Sequence, residues 1–292
     1  MELWLAITIA AAFAQNVRSL LQRRLIGDLS VNGAAYLRFL YAVPFAWVFA
    51  FWLWEGAPEG FTREFFAYVL VAAVAQIVAT ACLLASFGTG NFAVGTAFSK
   101  TEAAQAAIFG LLVLGDGLSV WVFFAIVVSL MGVVLLSGQL HWREILQPNR
   151  AMWLGLAAGA GFALSAVGFR GASLALAEGD FFHRAVLTVM VSVSLQTLLM
   201  GVYLILREPG QLRLALGSWR VAIWIGCIGM LASTAWFSAM TLTTAAVVRA
   251  VGQIELVFTV ITSVWLLGER LRTKEVVGMV LVVFGIGLLL LD

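Results

Sequence analysis

Apolar runs of about twenty residues follow one another along this chain, parted only by short polar breaks. As a helix, each is long enough to cross a hydrocarbon core of about 30 Å. Ten can be marked, at roughly 3–22, 31–54, 64–87, 91–114, 117–138, 151–177, 181–206, 219–240, 244–268 and 272–291. None alternates apolar and polar positions with period two, which excludes a β-barrel and predicts an all-α polytopic membrane protein. The loops run from two to about a dozen residues, so function must reside within the helical bundle itself.

The pattern repeats. An offset of 153 residues carries Glu102 onto Glu255, the turn at Gly115-Asp116 onto Gly268-Glu269, and Gly132 onto Gly285. An offset of 152 carries Arg18 onto Arg170 and Gly27-Asp28 onto Gly179-Asp180. The longest polar connector, 139–150, separates five spans from five, so the chain divides into a first five-helix repeat, 1–140, and a second, 150–292. Five is odd, so the second copy enters the membrane from the opposite face. Ten transmembrane helices as two inverted five-helix repeats are the expected fold class, and such repeats place a binding site near the midplane where the two meet. Gly155, Gly159 and Gly161 in the sixth span, and Gly278 and Gly285 in the tenth, read as close-packing positions.

Composition agrees: 63% of residues are hydrophobic and 11% charged, against about 25% charged in a soluble domain. A net charge of +2 with no basic tail gives no reason to expect nucleic acid. The apolar start lacks a basic leader, and Arg23 and Arg24 follow it, so the first run reads as a retained helix. Of the twelve loop Lys/Arg, ten fall on the side of the odd-numbered loops and two, Arg63 and Arg184, on the other. The positive-inside rule then predicts both termini outside the cytoplasm.

Five cations lie within the spans, Arg18, Arg38, Lys100, Arg170 and Arg249, against two acids, Glu102 and Glu255. A charge at the bilayer centre costs at least ~2.5–3.5 kcal/mol, so these groups are expected to be paired or to face a wet cavity. The excess of cations favours a carboxylate-bearing ligand. Arg38, Lys100, Arg249, Gln253 and Gln105 are the candidate substrate-binding residues. Glu102, Glu255, Arg18 and Arg170 are the candidates for proton coupling or ion pairing. On a continuous helix Lys100 and Glu102, two residues apart, would point to nearly opposite faces, leaving the acids to pair with neighbours such as Arg18 or Arg170. Gln76 and Gln196 read as an interhelical hydrogen bond.

Enzyme signatures are missing. His141 and His183 lie at span ends, Cys82 and Cys227 sit inside apolar runs without metal-ligand spacing, and no hydrolase or phosphate-binding motif occurs. No cofactor, metal or catalytic residue is therefore expected.

The two five-helix repeats, each closing with a Leu-Gly-acid turn and a glycine-bearing last helix, resemble the EamA-like branch of the drug/metabolite transporter superfamily. The fuller match is Leu266-Leu267-Gly268-Glu269-Arg270-Leu271 with Gly278 and Gly285; the first copy has Leu114-Gly115-Asp116 and Gly132, with Ala125 in place of Gly278. The resemblance implies a secondary transporter with a central cavity, working in the lipid bilayer as a monomer or homodimer. Members export amino acids, metabolites or drugs across the plasma membrane, in bacteria the inner membrane, and their termini are commonly drawn in the cytoplasm, the reverse of the charge bias here. Expected partners are a small-molecule substrate and protons. The expected function is export of a small polar, carboxylate-bearing metabolite, an amino acid or organic anion. The alternatives are a broad-specificity drug exporter and a membrane-embedded enzyme or lipid-handling protein.

Overall fold

The computed structural model describes residues 2–23, 29–53, 61–87, 92–136, 149–267 and 272–291. Helices follow one another throughout them, and the chain divides into two compact units. Each unit draws on both halves of the sequence: the first comprises Met1–Ile77 and Gly168–Leu242, the second Val78–Val167 and Thr243–Asp292.

In the first unit lie α1 (Leu3–Arg23), α2 (Val31–Leu40), α3 (Ala42–Trp52) and the start of α4 (Arg63–Phe87). With them are the end of α8 (Arg150–Ala175), then α9 (Phe181–Arg207), α10 (Gln211–Gly217) and α11 (Trp219–Leu242). α1 lies along α11, and both α9 and α11 pack on α2 and α3. Tyr36, Leu37, Phe39, Leu204 and Ile225 fill the core at that junction. The second expected span is interrupted at Tyr41, between α2 and α3. Gly226 lies so close there that a Cβ would overlap the Tyr41 carbonyl, and only glycine lets the backbones meet this way. Gln196 Nε2 donates to Gln76 Oε1 at 2.6 Å, the interhelical bond expected of that pair.

The second unit takes the end of α4, then α5 (Phe92–Ser99), α6 (Glu102–Leu114), α7 (Val120–Leu136) and the start of α8. Its later chain is α12 (Ala245–Gly252), α13 (Ile254–Leu267), α14 (Thr273–Leu288) and a closing 3₁₀ turn, Leu289–Leu291. α7 and α14 are equivalent in the repeat and form its most extensive helix pair. A Cβ on Gly132 would meet the Gly278 carbonyl at 2.7 Å, and one on Gly285 the Ala125 carbonyl at 3.0 Å. Rising numbers on α7 thus meet falling numbers on α14: the two run antiparallel. The repeat carries Ala125 onto Gly278 and Gly132 onto Gly285, so the two contacts exchange with one another. Gly278 and Gly285, read from sequence as packing positions, sit where the backbones touch.

Nine segments among the described residues are long and apolar enough to cross a membrane, where ten were expected. The fifth expected span is α7, with 17 residues, about 25 Å at 1.5 Å per residue. It begins at Val120 rather than at 117. Gly115 ends α6 with φ 69°, Asp116 N donates back to Gly110 O at 3.1 Å, and Ser119 Oγ accepts from Val122 N at 3.2 Å to start α7. This turn chemistry takes 117–119, three residues that a hydropathy reading assigns to the span. The turns at Gly27-Asp28 and Gly268-Glu269, His141 and nearly all of the 139–150 connector lie outside the described residues. Gly179, with φ 87°, and Asp180, which accepts from His183 N at 2.8 Å, form the expected turn into α9.

Candidate functional site

Sequence alone gives the fourth and ninth spans as continuous helices. Both are broken, at positions the repeat makes equivalent. α5 stops at Ser99 and α6 starts at Glu102; α12 stops at Gly252 and α13 starts at Ile254. At the first break Lys100 N is shared between Thr96 O and Ala97 O at 3.2 Å each, and Thr101 N donates to Phe98 O at 3.2 Å. At the second, Gln253 N donates to Ala250 O at 3.3 Å and Leu256 N to Gln253 O at 3.0 Å. Such i→i+3 bonds tighten the turn and rotate the next half-helix about its axis. Thr101 Oγ1 donates to Phe98 O at 2.6 Å and accepts from Gln105 Nε2 at 2.8 Å, holding the kink. Gln105 Nε2 also reaches Leu156 O at 3.4 Å, on α8, where Gly155 and Gly159 let the α8 backbone approach.

The breaks bring the charges together in crossed pairs. Lys100 Nζ lies 3.1 Å from Glu255 Oε1, and Arg249 Nη1 lies 4.0 Å from Glu102 Oε1. Their side chains keep 22% exposure or less. Gln253 is 1% exposed and donates from Nε2 to Lys100 O at 3.0 Å. It is Lys100's own equivalent in the repeat, so the two break residues meet each other while each acid meets a cation of the opposite repeat. The Gln253 Oε1 acceptor has no hydrogen-bond partner among the described residues.

One expectation changes here. Lys100 and Glu102 do not point to opposite faces of one helix: the break removes the 100° per residue relation, and both reach the other broken helix. Glu102 pairs with Arg249 and Glu255 with Lys100. Of the nine candidates, Lys100, Glu102, Gln105, Arg249, Gln253 and Glu255 belong to the second unit, and Arg18, Arg38 and Arg170 to the first.

In the first unit the α1 stripe Gln15, Arg18 and Gln22 faces α11 and α2. Trp236 Nε1 donates to Gln15 Oε1 at 3.1 Å, and Gln22 Nε2 donates to Ala34 O at 2.7 Å. Between them Arg18 Cδ and Arg38 O both border Gly229. The Arg38 guanidinium lies 4.4 Å from the Phe39 ring centroid. Arg170 is half-buried on α8. A separate cavity of about 390 Å³ in the second unit is lined by Gly117, Leu118, Ser119, Val122, Thr243, Thr244 and Val247, none of them charged. Among the described residues no cluster of three His, Cys, Asp or Glu could hold a metal ion.

Sequence reading missed the kinks, and with them Thr101. The signal was present as Ser99-Lys100-Thr101-Glu102, four polar residues in succession within an apolar run. Another feature missed is a clamp on the start of α2. Ser30 Oγ caps the helix by accepting from Gly33 N at 3.0 Å and donates to Glu208 Oε2, while Asn32 Nδ2 donates to Glu208 Oε1 at 2.5 Å.

Lipid-length apolar helices carrying buried, cross-paired charges define a polytopic helical membrane protein. Residues 149–291 match the model of the EamA-like transporter family. The matched range holds the repeat in which the Leu-Leu-Gly-acid motif is complete. Among solved structures, one described only as a protein crystal structure aligns with a TM-score of 0.74 at 12% identity, covering 99% of this chain and 96% of its own. At that identity the likeness is one of fold. No curated protein matches the sequence.

Proposed function

We propose that this chain is a secondary carrier that moves a small polar, carboxylate-bearing metabolite, an amino acid or an organic anion, across the plasma membrane in the export direction. The observation that carries the reading is the crossed pair of ion pairs at the two equivalent helix breaks. Buried cations must keep a counter-charge. At Lys100 and Arg249 that counter-charge is an internal carboxylate, which a substrate carboxylate can replace with the same charge and donor geometry. Gln253 Oε1 adds a buried acceptor for a substrate N–H or O–H. Transport then exchanges one carboxylate for another, with no charge left bare in the low-dielectric interior.

Such exchange provides a route for protons. When the substrate takes Lys100, Glu255 loses its cation, and an isolated carboxylate in an apolar site is neutralised by taking up a proton. Glu102 stands in the same relation to Arg249, at the longer distance of 4.0 Å. The antiparallel run of α7 and α14 supports an inverted repeat, with α7 added to the nine longer segments to make ten spans. The bias of loop cations supports both termini outside the cytoplasm.

Ligand-induced thermal stabilisation tests the substrate class. Amino acids or organic anions are expected to raise the unfolding midpoint of the wild type and to lose that effect in Lys100→Met. Stabilisation by lipophilic cations alone, unchanged in Lys100→Met, would point to drug export and overturn the carboxylate reading.

A further inference from the structure

Between the end of α9 and the start of α11 the chain carries three arginines, Arg207, Arg213 and Arg220, and all three are exposed. The stretch contains one acid, Glu208, and both its oxygens are engaged at the start of α2, by Ser30 Oγ and by Asn32 Nδ2. Ser30 N also donates to Gln211 Oε1 at 2.9 Å. Glu208 is thus occupied as an anchor that ties α10 to α2. The stretch from 207 to 220 keeps three cations against that single acid.

The apolar side of α10 is divided. Leu212 and Ala215 pack into the core beside Tyr36 and Leu37. Leu214 and Leu216 are about half exposed, as is Trp219, over whose ring the Arg220 guanidinium sits at 5.6 Å. Arg207 is the last residue of one lipid-length run and Trp219 the first of the next, so α10 lies where the hydrocarbon ends. Exposed leucines beside exposed arginines suit neither water nor acyl chains. They suit the boundary, where leucines meet acyl chains, a tryptophan ring spans both zones, and guanidinium groups meet phosphates.

We infer that α10 and its flanks dock anionic phospholipid headgroups, with Arg207, Arg213 and Arg220 holding phosphates and Leu214, Leu216 and Trp219 resting at the acyl boundary. A zwitterionic headgroup brings its own cation and gains little from three arginines, whereas an acidic one gains from each. Every such cation strengthens the attraction by about fivefold.

The test uses purified full-length protein in a neutral detergent, titrated with short-chain phosphatidylglycerol, phosphatidylcholine or inorganic phosphate while the unfolding midpoint is followed. For the wild type, phosphatidylglycerol is expected to stabilise and the other two to have little effect. In Arg207→Gln/Arg213→Gln/Arg220→Gln the concentration for half-maximal stabilisation is expected to rise at least about tenfold, and in the control Lys274→Gln to stay unchanged. Equal stabilisation by phosphatidylcholine, or by inorganic phosphate, would overturn the inference, as would an unaltered response of the triple variant. If the triple variant does not fold, Arg213→Gln alone decides: a loss of about fivefold supports the site, and no change refutes it.

Discussion

Removing one partner of the Lys100–Glu255 pair should cost far more than removing both. At 3.1 Å and an effective dielectric constant of about 20, the attraction is of order 5 kcal/mol. Desolvation of both groups offsets much of that, so the net value of the pair is small, while a charge left alone costs about 3–5 kcal/mol. Glu255→Gln and Lys100→Met are each expected to lower stability by about 3 kcal/mol. The double variant should cost no more than about 1 kcal/mol, a coupling of about 5 kcal/mol that matches the attraction between the two charges. Gln253 reports on the same geometry, because its bond to Lys100 O persists when only the side chains change. The assay is reversible unfolding in mixed micelles with a double-mutant cycle. Additive losses, agreeing within about 0.5 kcal/mol, would show that the two side chains do not form a pair and would refute the crossed arrangement.

Three further outcomes follow from the packing. Gly226→Ala should lower the unfolding midpoint by an amount equivalent to about 2–3 kcal/mol, because its Cβ overlaps the Tyr41 backbone, whereas Gly287→Ala, with open space around it, should be neutral or stabilising by up to about 1 kcal/mol. Gly278→Ala places a methyl 2.8 Å from Gly132 O and should separate α7 from α14, read as a loss of cross-linking between cysteines placed at Met131 and Val277. Glu208→Ala leaves Ser30 and Asn32 without their acceptor and should cost about 1–2 kcal/mol, with faster hydrogen exchange confined to the start of α2.

The lipid-length runs, the packing glycines and the turns at Gly115 and Gly179 were legible because each depends on local chemistry: hydropathy over twenty residues, absence of a Cβ, or a left-handed φ. Glu102 and Glu255 stood out for the same reason, as charges with no place in lipid. Their partners were not legible. The partners were fixed by 3₁₀ kinks at Lys100 and Gln253, and a pattern read at 100° per residue turns each half-helix to the wrong face once the helix breaks. Counting five cations against two acids treats the bundle as one pool, yet Lys100 and Arg249 are matched by Glu255 and Glu102 within the second unit, while Arg18, Arg38 and Arg170 belong to the first. The division into compact units does not follow the sequence repeats either, since neighbours along the chain need not be neighbours in packing.

The most direct measurement is substrate-driven proton movement in proteoliposomes loaded with a pH-sensitive dye, comparing the wild type with Glu102→Gln and Glu255→Gln. Amino acids, organic anions and lipophilic cations would each be offered as the driving solute. The account predicts a proton signal with a carboxylate-bearing solute, abolished in Glu255→Gln, whose acid holds Lys100 at the shorter distance, and weakened in Glu102→Gln. Carboxylate flux that proceeds without proton movement and is unchanged in both variants would contradict it, leaving the crossed pairs a structural feature of the broken helices.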